Sequence, residues 1–439
     1  MPKMPAMFET HLHAALHARI GRGDLRITYP SGRVEAYGDG SGPALQVRIA
    51  DRAAVRRIVL DPTLAVPEMY MDGRLLVERG DIYDLLALAK RNFAPQAATL
   101  AARLQHLRRL LTGLPALRAI NPRRAERNVA HHYDLDGRLY RLFLDPDMQY
   151  SCAYFERPDM SLDAAQLAKK RLIAAKLLVR PGARVLDIGS GWGGMALYLA
   201  RVCGARVTGI TLSREQHAVS TGRAAEAGVA DRVEFRLLDY RALDARFDNI
   251  VSVGMFEHVG LRQFPAFFRT AARLLVPDGV MLLHSMAQPR PDGYNAPFIE
   301  KYIFPGGYIP SLSQILPPLE RSGLLLRDTE ILSLHYAETT RAWRQRIHAN
   351  RARLLELYDE RFLRMWDFYL AGSETSFRFN DLHVVHLQLV HDQARVPLTR
   401  GYIAEEMARL RSEEARIPEY AALHEPAERR GQPHGVAAQ

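Results

Sequence analysis

The sequence predicts an α/β protein in two parts, a doubly wound, mostly parallel seven-stranded sheet preceded by a smaller α/β domain. Three observations predict this. At 439 residues, 48% hydrophobic and 25% charged, the chain has enough apolar material for more than one core. From about Asn128 onward, strand-like runs alternate with helical patterns, the order expected of a parallel sheet wrapped by helices. Residues Val185 to Gly194 form an apolar run, an acid and then four glycines within six positions, which reads as a buried strand breaking into a tight turn.

The elements follow in order. An opening helix is expected over Phe8–Ile20, then strands at Leu25–Tyr29 and Leu45–Ile49, separated by the turn Pro30-Ser31-Gly32 and the glycine-rich 38–42. Pro67 to Gly73 precedes an apolar helix at Tyr83–Ala89, which closes a first domain over 1–93. Residues 94–127 read as a basic helical linker interrupted by Gly113 and Pro115. From Ala101 to Arg127 it carries Arg103, Arg108, Arg109, Arg118, Arg123, Arg124 and Arg127 against the single acid Glu126, a net +6. The second domain, 128–400, has strand-like runs at 184–188, 205–210, 232–237, 248–254, 279–285 and 324–332, and Leu382–Val390 is expected to close the sheet as an antiparallel edge strand. Residues 401–439 read as a charged helix over Ile403–Arg416 and a mobile tail.

A net charge of +10 implies an anionic partner, with phospholipid headgroups and nucleic acid both candidates; a solvated linker helix with arginine stems covering apolar surface is the plain alternative. Only Cys152 and Cys203 are present, too few for a disulfide framework, and no apolar run suits a signal or a membrane span, so a cytoplasmic protein is expected. No metal site is expected.

In the glycine turn, positive φ at Gly189, Gly191 and Gly193 lets the backbone approach a nucleotide-like ligand. The spacing is neither Gly-x-Gly-x-x-Gly nor a P-loop. Asp187-x-Gly189-x-Gly191-x-Gly193 instead resembles the first motif of S-adenosylmethionine-dependent methyltransferases. In such a sheet the ligand lies at the carboxyl ends of the strands. There Thr211, Leu212 and Gln216 are placed to read a ribose, while Asp239 and Tyr240 are placed to bind an adenine amine and cover its ring.

Further segments narrow the resemblance. These are His132-Tyr133-Asp134-Leu135, Tyr140 to Pro146, Tyr150-Ser151-Cys152-Ala153-Tyr154-Phe155, Gly209 to Ser213, Phe256-Glu257-His258-Val259-Gly260, Leu283-His284 and Ile303 to Pro310. Together they resemble the cyclopropane-fatty-acyl-phospholipid synthases and the related mycolic acid methyltransferases over about 128–380. Glu68 to Gly73 resembles the small lipid-binding domain of the bacterial synthases.

The resemblance implies methyl transfer from S-adenosylmethionine to a cis double bond of an unsaturated phospholipid acyl chain, with bound bicarbonate taking the proton lost in ring closure. It places Glu257, His284, Tyr336 and the Cys152 region around the bicarbonate, and Tyr150 and Ser151 beside the cofactor. It further implies a peripheral enzyme on the inner face of an anionic membrane, and a homodimer. Cys152, in an apolar setting, reads as a pocket-shaping residue and not a nucleophile. Residues 287–318, rich in Pro, Tyr, Phe and Ile, read as a cover over a lipid channel.

Departures are Ser373 where the family often has a cysteine, Met286 where isoleucine is usual, and the extension after Arg400. The same first step followed by a hydride shift and proton loss would give a methyl-branched or methylene-substituted chain. Nucleic-acid methylation is disfavoured, because Met255-Phe256-Glu257-His258 carries neither an Asn/Asp-Pro-Pro-aromatic nor a Pro-Cys signature. A non-catalytic lipid-binding protein is disfavoured by the intact cofactor turn, Glu257, His284 and Tyr336.

Overall fold

The computed structural model describes residues 4–93, 137–291 and 296–424. The linker expected at 94–127, the motif His132 to Leu135, and the tail after His424 lie outside the described residues.

In the first domain α1 (Met4–His17) precedes β1 (Asp24–Thr28), β2 (Val34–Tyr37) and β3 (Ala44–Ile49); α2 (Arg52–Leu60), α3 (Pro62–Met71), β4 (Leu75–Arg79) and α4 (Ile82–Asn92) follow. The sheet order is β2-β1-β3-β4, with β1 parallel to β3 and the two edges antiparallel. Inward side chains Leu25, Ile27, Leu45, Val47 and Ile49 alternate with polar ones and pack on Val55, Ile58 and Met69. Asp51 and Asp81 cap α2 and α4, each accepting a 3.0 Å hydrogen bond from a first-turn N–H. The edges β2 and β4 were not expected: each is short and carries charged side chains, so neither shows the two-residue alternation of a half-buried strand.

The second sheet has the order β10-β11-β9-β8-β5-β6-β7, where β5 is Arg184–Ile188, β6 Arg206–Thr211, β7 Val233–Leu237, β8 Phe247–Val253, β9 Leu275–Ala287, β10 Leu325–Leu332 and β11 His383–Val390. Strands β5 to β9 run parallel, and β11 is antiparallel to both of its neighbours. The edge assignment needs correcting: β11 lies inside the sheet, and β10 is the edge. Val384 to Val390 are all buried, which needs cover on both faces, whereas β10 leaves Leu325, Leu326, Thr329 and Ile331 exposed. Strand order reverses at β5, so a crevice opens beyond the carboxyl ends of β5 and β8.

The helix Leu162–Leu177 crosses this sheet with Lys169, Lys170, Arg171 and Lys176 all buried. A buried cation is costly unless paired, and Lys170, Arg171 and Lys176 each meet a carboxylate, while Lys169 is hydrogen-bonded to Gln149 and Ser151. Lys170 meets Asp147, and Arg171 is held by Glu156 and by Glu414 at 2.9 Å. Glu414 comes from the extension after Arg400, which forms helices Gly401–Glu414 and Pro418–His424; its buried carboxylate also accepts from Tyr198 at 2.6 Å. The extension therefore completes the ion pairing of the core helix.

Candidate active site

The crevice holds a cleft lined by Tyr150, Ser151, Asp187, Gly189, Gly191, Thr211, Leu212, Gln216, Asp239 and Tyr240, from four separate stretches of chain. Gly189, Gly191 and Gly193 all have positive φ, but for different reasons. A Cβ on Gly191 would meet nothing within 4 Å, so the backbone there is bare toward the cleft. A Cβ on Gly189 would strike Met255 at 2.7 Å. Gly193 is absent from the cleft wall, and a Cβ there would lie 2.7 Å from the Phe235 ring. Gly193 thus also permits close packing of the helix Gly194–Val202 on the sheet.

Asp187 ends β5 fully enclosed, and burial pushes its pKa up to about 7 despite Lys169; its Oδ2 has no hydrogen-bond partner among the described residues. Thr211 donates to the Gln216 amide oxygen at 2.8 Å, which presents a hydroxyl and amide pair at the end of β6. Asp239 caps a short turn and is gripped by Arg241 at 2.7 and 2.8 Å, with Tyr240 beside it packed edge-on against Phe267.

A second, smaller chamber shares Tyr150, Ser151, Gly254 and His258 with the cleft and is otherwise lined by Cys152, Glu257, His284, Met286, Tyr336 and an apolar wall of Ile299, Phe304, Tyr308 and Ile309. The fold therefore gathers the four expected anion-site residues around one space. Glu257, just beyond β8, accepts from the Met286 N–H at 2.6 Å through Oε1, while its buried Oε2 has no partner among the described residues. The Met286 departure is harmless at this contact because the backbone makes it. Burial raises the Glu257 pKa. His284, on β9, turns Nδ1 to His386 Nε2 at 2.8 Å.

Tyr336 stands in the first turn of the helix His335–Ala349, its ring 4.8 Å from Phe377 and 5.8 Å from Trp343. Cys152 is buried with its thiol on the Ala153 carbonyl at 3.3 Å, and burial drives its pKa upward, so it remains a neutral wall residue. Ser373 lines neither space. The cover is present too: Gln288 bridges Ser311, and the π-helical turn Ile299–Ile303 roofs the chamber. Residues 292–295 of this segment lie outside the described residues.

Several residues escaped the sequence reading. Lys169 donates to Gln149 at 2.5 Å and to the Ser151 hydroxyl at 2.8 Å behind the cleft, and burial lowers its pKa to about 7. His258 stands where the two spaces join, its pKa lowered to about 4 by burial, so it is neutral. Its place beside Glu257 was the available signal. His386 and Lys176 carried none, because their partners are more than 100 positions away in sequence. Among the described residues no group of three or more His, Cys, Asp or Glu could hold a metal, and no helix is long and apolar enough to cross a membrane.

A seven-stranded sheet with β11 antiparallel between β9 and β10, and a glycine-lined cleft at the switch point, is the fold of S-adenosylmethionine-dependent methyltransferases. Coclaurine N-methyltransferase bound to N-methylheliamine and SAH shares this fold, with TM-score 0.60 at 21% identity over 75% of this chain and 99% of that one. The family model for mycolic acid cyclopropane synthetase matches residues 120–387, and the chain belongs to that family. A model described as a domain of unknown function, DUF7884, matches residues 14–97.

The cyclopropane-fatty-acyl-phospholipid synthase of Escherichia coli K12 is 37% identical over 349 residues, 79% of this chain and 87% of its own length. The tuberculostearic acid methyltransferase UfaA1 of Mycobacterium tuberculosis is 35% identical over 385 residues, 84% of this chain and 88% of its own. The mycolic acid cyclopropane synthase CmaA1, complexed with SAH and CTAB, superposes with TM-score 0.57 at 35% identity, covering 60% of this chain and 97% of that one.

Proposed function

We propose that the protein transfers the methyl group of S-adenosylmethionine to a cis double bond of an unsaturated phospholipid acyl chain and closes a cyclopropane ring by removing a proton. The observation that carries this reading is the second chamber, which shares wall residues with the cofactor cleft and is lined both by Ile299, Phe304, Tyr308 and Ile309 and by Glu257 and His284. An alkene is a weak nucleophile, so the site must align it closely and exclude water until the carbocation has lost its proton. Ile299, Phe304, Tyr308 and Ile309 exclude water on the cover side.

Glu257, Cys152, His284 and Tyr336 fit a bound bicarbonate. The buried Oε2 of Glu257 needs a donor, which an O–H of bicarbonate provides, while Tyr336 and the imidazole have hydrogen atoms for its other oxygens. Bicarbonate supplies the base for the proton lost in ring closure; S-adenosylmethionine supplies the electrophilic methyl. Tyr150 and Ser151, common to both spaces, line the junction across which the methyl passes. Similarity to a tuberculostearic acid methyltransferase supports a second outcome, a methyl-branched or methylene-substituted acyl chain formed from the same cation by hydride shift and proton loss.

The first domain and the arginine-rich 94–127 segment are proposed to dock on the anionic cytoplasmic face of a membrane. One experiment tests both parts: incubation with S-adenosylmethionine and vesicles of acidic, monounsaturated phospholipid over a range of salt. The expected result is acyl chains heavier by one methylene, with upfield cyclopropane protons in the NMR spectrum, and vesicle binding that weakens as salt rises. No mass gain would overturn the lipid reading, terminal methylene or methyl-branch signals on the heavier chains in place of cyclopropane protons would shift it to the second outcome, and salt-independent binding would remove the electrostatic docking.

A further inference from the structure

A row of polar side chains runs through the buried end of the sheet, from the second chamber to the edge. His284 of β9 lies directly opposite His386 of β11, and His386 lies directly opposite Glu330 of β10, so the three project from one face of three adjacent strands. Lys176, in the last turn of the helix Leu162–Leu177, packs against that face. Its Nζ stands 3.2 Å from His386 Nδ1, in contact with Glu330 and 3.9 Å from Asp328. Arg400, largely exposed, closes the row, 2.9 Å from Asp328 and 3.8 Å from Glu330. Nothing in the proposed chemistry yet uses His386 or Lys176, although both are fully buried, where a polar group without a purpose is costly.

We infer that Lys176 and His386 are positioning residues that hold His284 in a single tautomer, with its proton on Nε2, so that it donates a hydrogen bond into the second chamber. An ammonium group has hydrogens to give and no lone pair to accept with. The contact between Lys176 and His386 therefore runs from Nζ to Nδ1. With Nδ1 accepting, a neutral His386 carries its proton on Nε2 and donates it across the 2.8 Å contact to His284 Nδ1. His284 in turn carries its proton on Nε2, the nitrogen left for the chamber it lines. Every link has one solution, and the direction is set at the sheet edge by Lys176 in its ion pair with Glu330; burial lowers the Lys176 pKa, and Glu330 and Asp328 oppose that shift.

Both rings are neutral. Burial and the cations Lys169 and Lys176 hold His284 well below its ordinary pKa; His386 is lowered by burial and by Lys176, His284, Lys169 and His335 around it. Of the charged groups on β10, Glu330 stands opposite His386 and meets Lys176, and Asp328 lies 3.9 Å from Lys176. The consequence for the site is directional. A donor at His284 attracts an anion's oxygen, whereas the other tautomer would point a lone pair at it. Since all donors in the row already point inward, the proton removed in ring closure does not leave along it.

What His284 donates to rests on the function proposed above; the tautomer does not, and the test keeps them apart. Full-length protein labelled with ¹⁵N in its histidine rings is read by long-range ¹H–¹⁵N correlation without substrate, beside a kinetic comparison of variants. The wild type is expected to show His284 and His386 as Nε2–H. Lys176→Met is expected to mix the His284 tautomers and to lower kcat roughly 10- to 100-fold, the range for losing a partner that orients an imidazole, with KM for S-adenosylmethionine unchanged. His386→Gln keeps an N–H toward His284 and is expected to retain more turnover than His386→Leu. Wild-type His284 as Nδ1–H, or a folded Lys176→Met with unaltered His284 signals, would overturn the inference even if lipid methylation is confirmed. If Lys176→Met does not fold, the wild-type spectrum and the Gln and Leu pair at 386 decide it.

Discussion

Glu257 is held at one oxygen by the Met286 N–H and unpartnered at the other, which is the posture of a carboxylate waiting for a donor. Glu257→Gln keeps the size and an acceptor but places an amide where an O–H should be received. Turnover is expected to fall by about 10²-fold or more, with the affinity for S-adenosylhomocysteine within about twofold by calorimetry. Unchanged turnover would remove the anion-site reading.

Asp187 makes a second residue-scale prediction. Burial favours its protonated form up to about pH 7, whereas the sulfonium and ammonium groups of the cofactor favour the carboxylate. Affinity for S-adenosylmethionine is therefore expected to weaken by up to about tenfold per unit as pH falls below about 7, with proton release on binding, and Asp187→Asn should flatten the profile. The same shift acts on stability. The folded pKa lies above the unfolded one, so stability falls as pH rises from about 4 to about 7. Glu257, His284 and Asp187 were legible as residues because each stands at a strand end inside a recognisable motif; Lys176 and His386 were not, because only the packing of a helix on a distant strand gives them a partner.

At the scale of elements, the glycine turn divides its work between ligand and fold. Gly191→Ala adds a methyl group into open cleft at a φ of 54°; it carries the strain of a left-handed alanine but no clash, and is expected to weaken cofactor binding more than stability. Gly193→Ala drives a Cβ to 2.7 Å from Phe235 at a φ of 87°, and is expected to cost about 1–3 kcal/mol in thermal unfolding, more than it costs in cofactor affinity measured at a temperature where it is folded. Equal effects at the two positions would mean that the turn has no such division. Both glycines look alike in sequence, since what distinguishes them is which side of the loop meets Phe235. The strands of the parallel sheet were legible to within a few residues because their apolar runs are bounded by turns, whereas the neighbours of β11 were not: an apolar run reports burial, not which strand lies beside it.

For the whole molecule, the first domain reaches the active-site cover through one buried carboxylate. Glu68 pairs with Arg57 of its own domain and with Lys301 at 2.7 Å and Tyr302 at 2.8 Å in the turn that roofs the second chamber; Tyr70 to Asp367 at 2.8 Å and Asp81 to Arg344 at 2.9 Å add to the contact. Glu68→Ala is expected to speed amide exchange across 299–304 roughly tenfold, about 1.4 kcal/mol of opening, while exchange in β5 to β8 is unchanged. No change at 299–304 would mean that the cover is held by its own packing.

The sequence by itself determined the fold class, the cofactor turn and the order of the chemistry-bearing segments, because hydrophobic period, turn residues and local motifs are properties of neighbours along the chain. Only the tertiary structure decided that Glu257, His284, Tyr336 and Cys152 share a chamber, that β11 lies inside the sheet, that Glu414 completes the pairing of Arg171, and that His386 and Lys176 stand behind His284. Those contacts join residues far apart in sequence, and burial in a low-dielectric interior, where every polar group needs a partner, is what selects them.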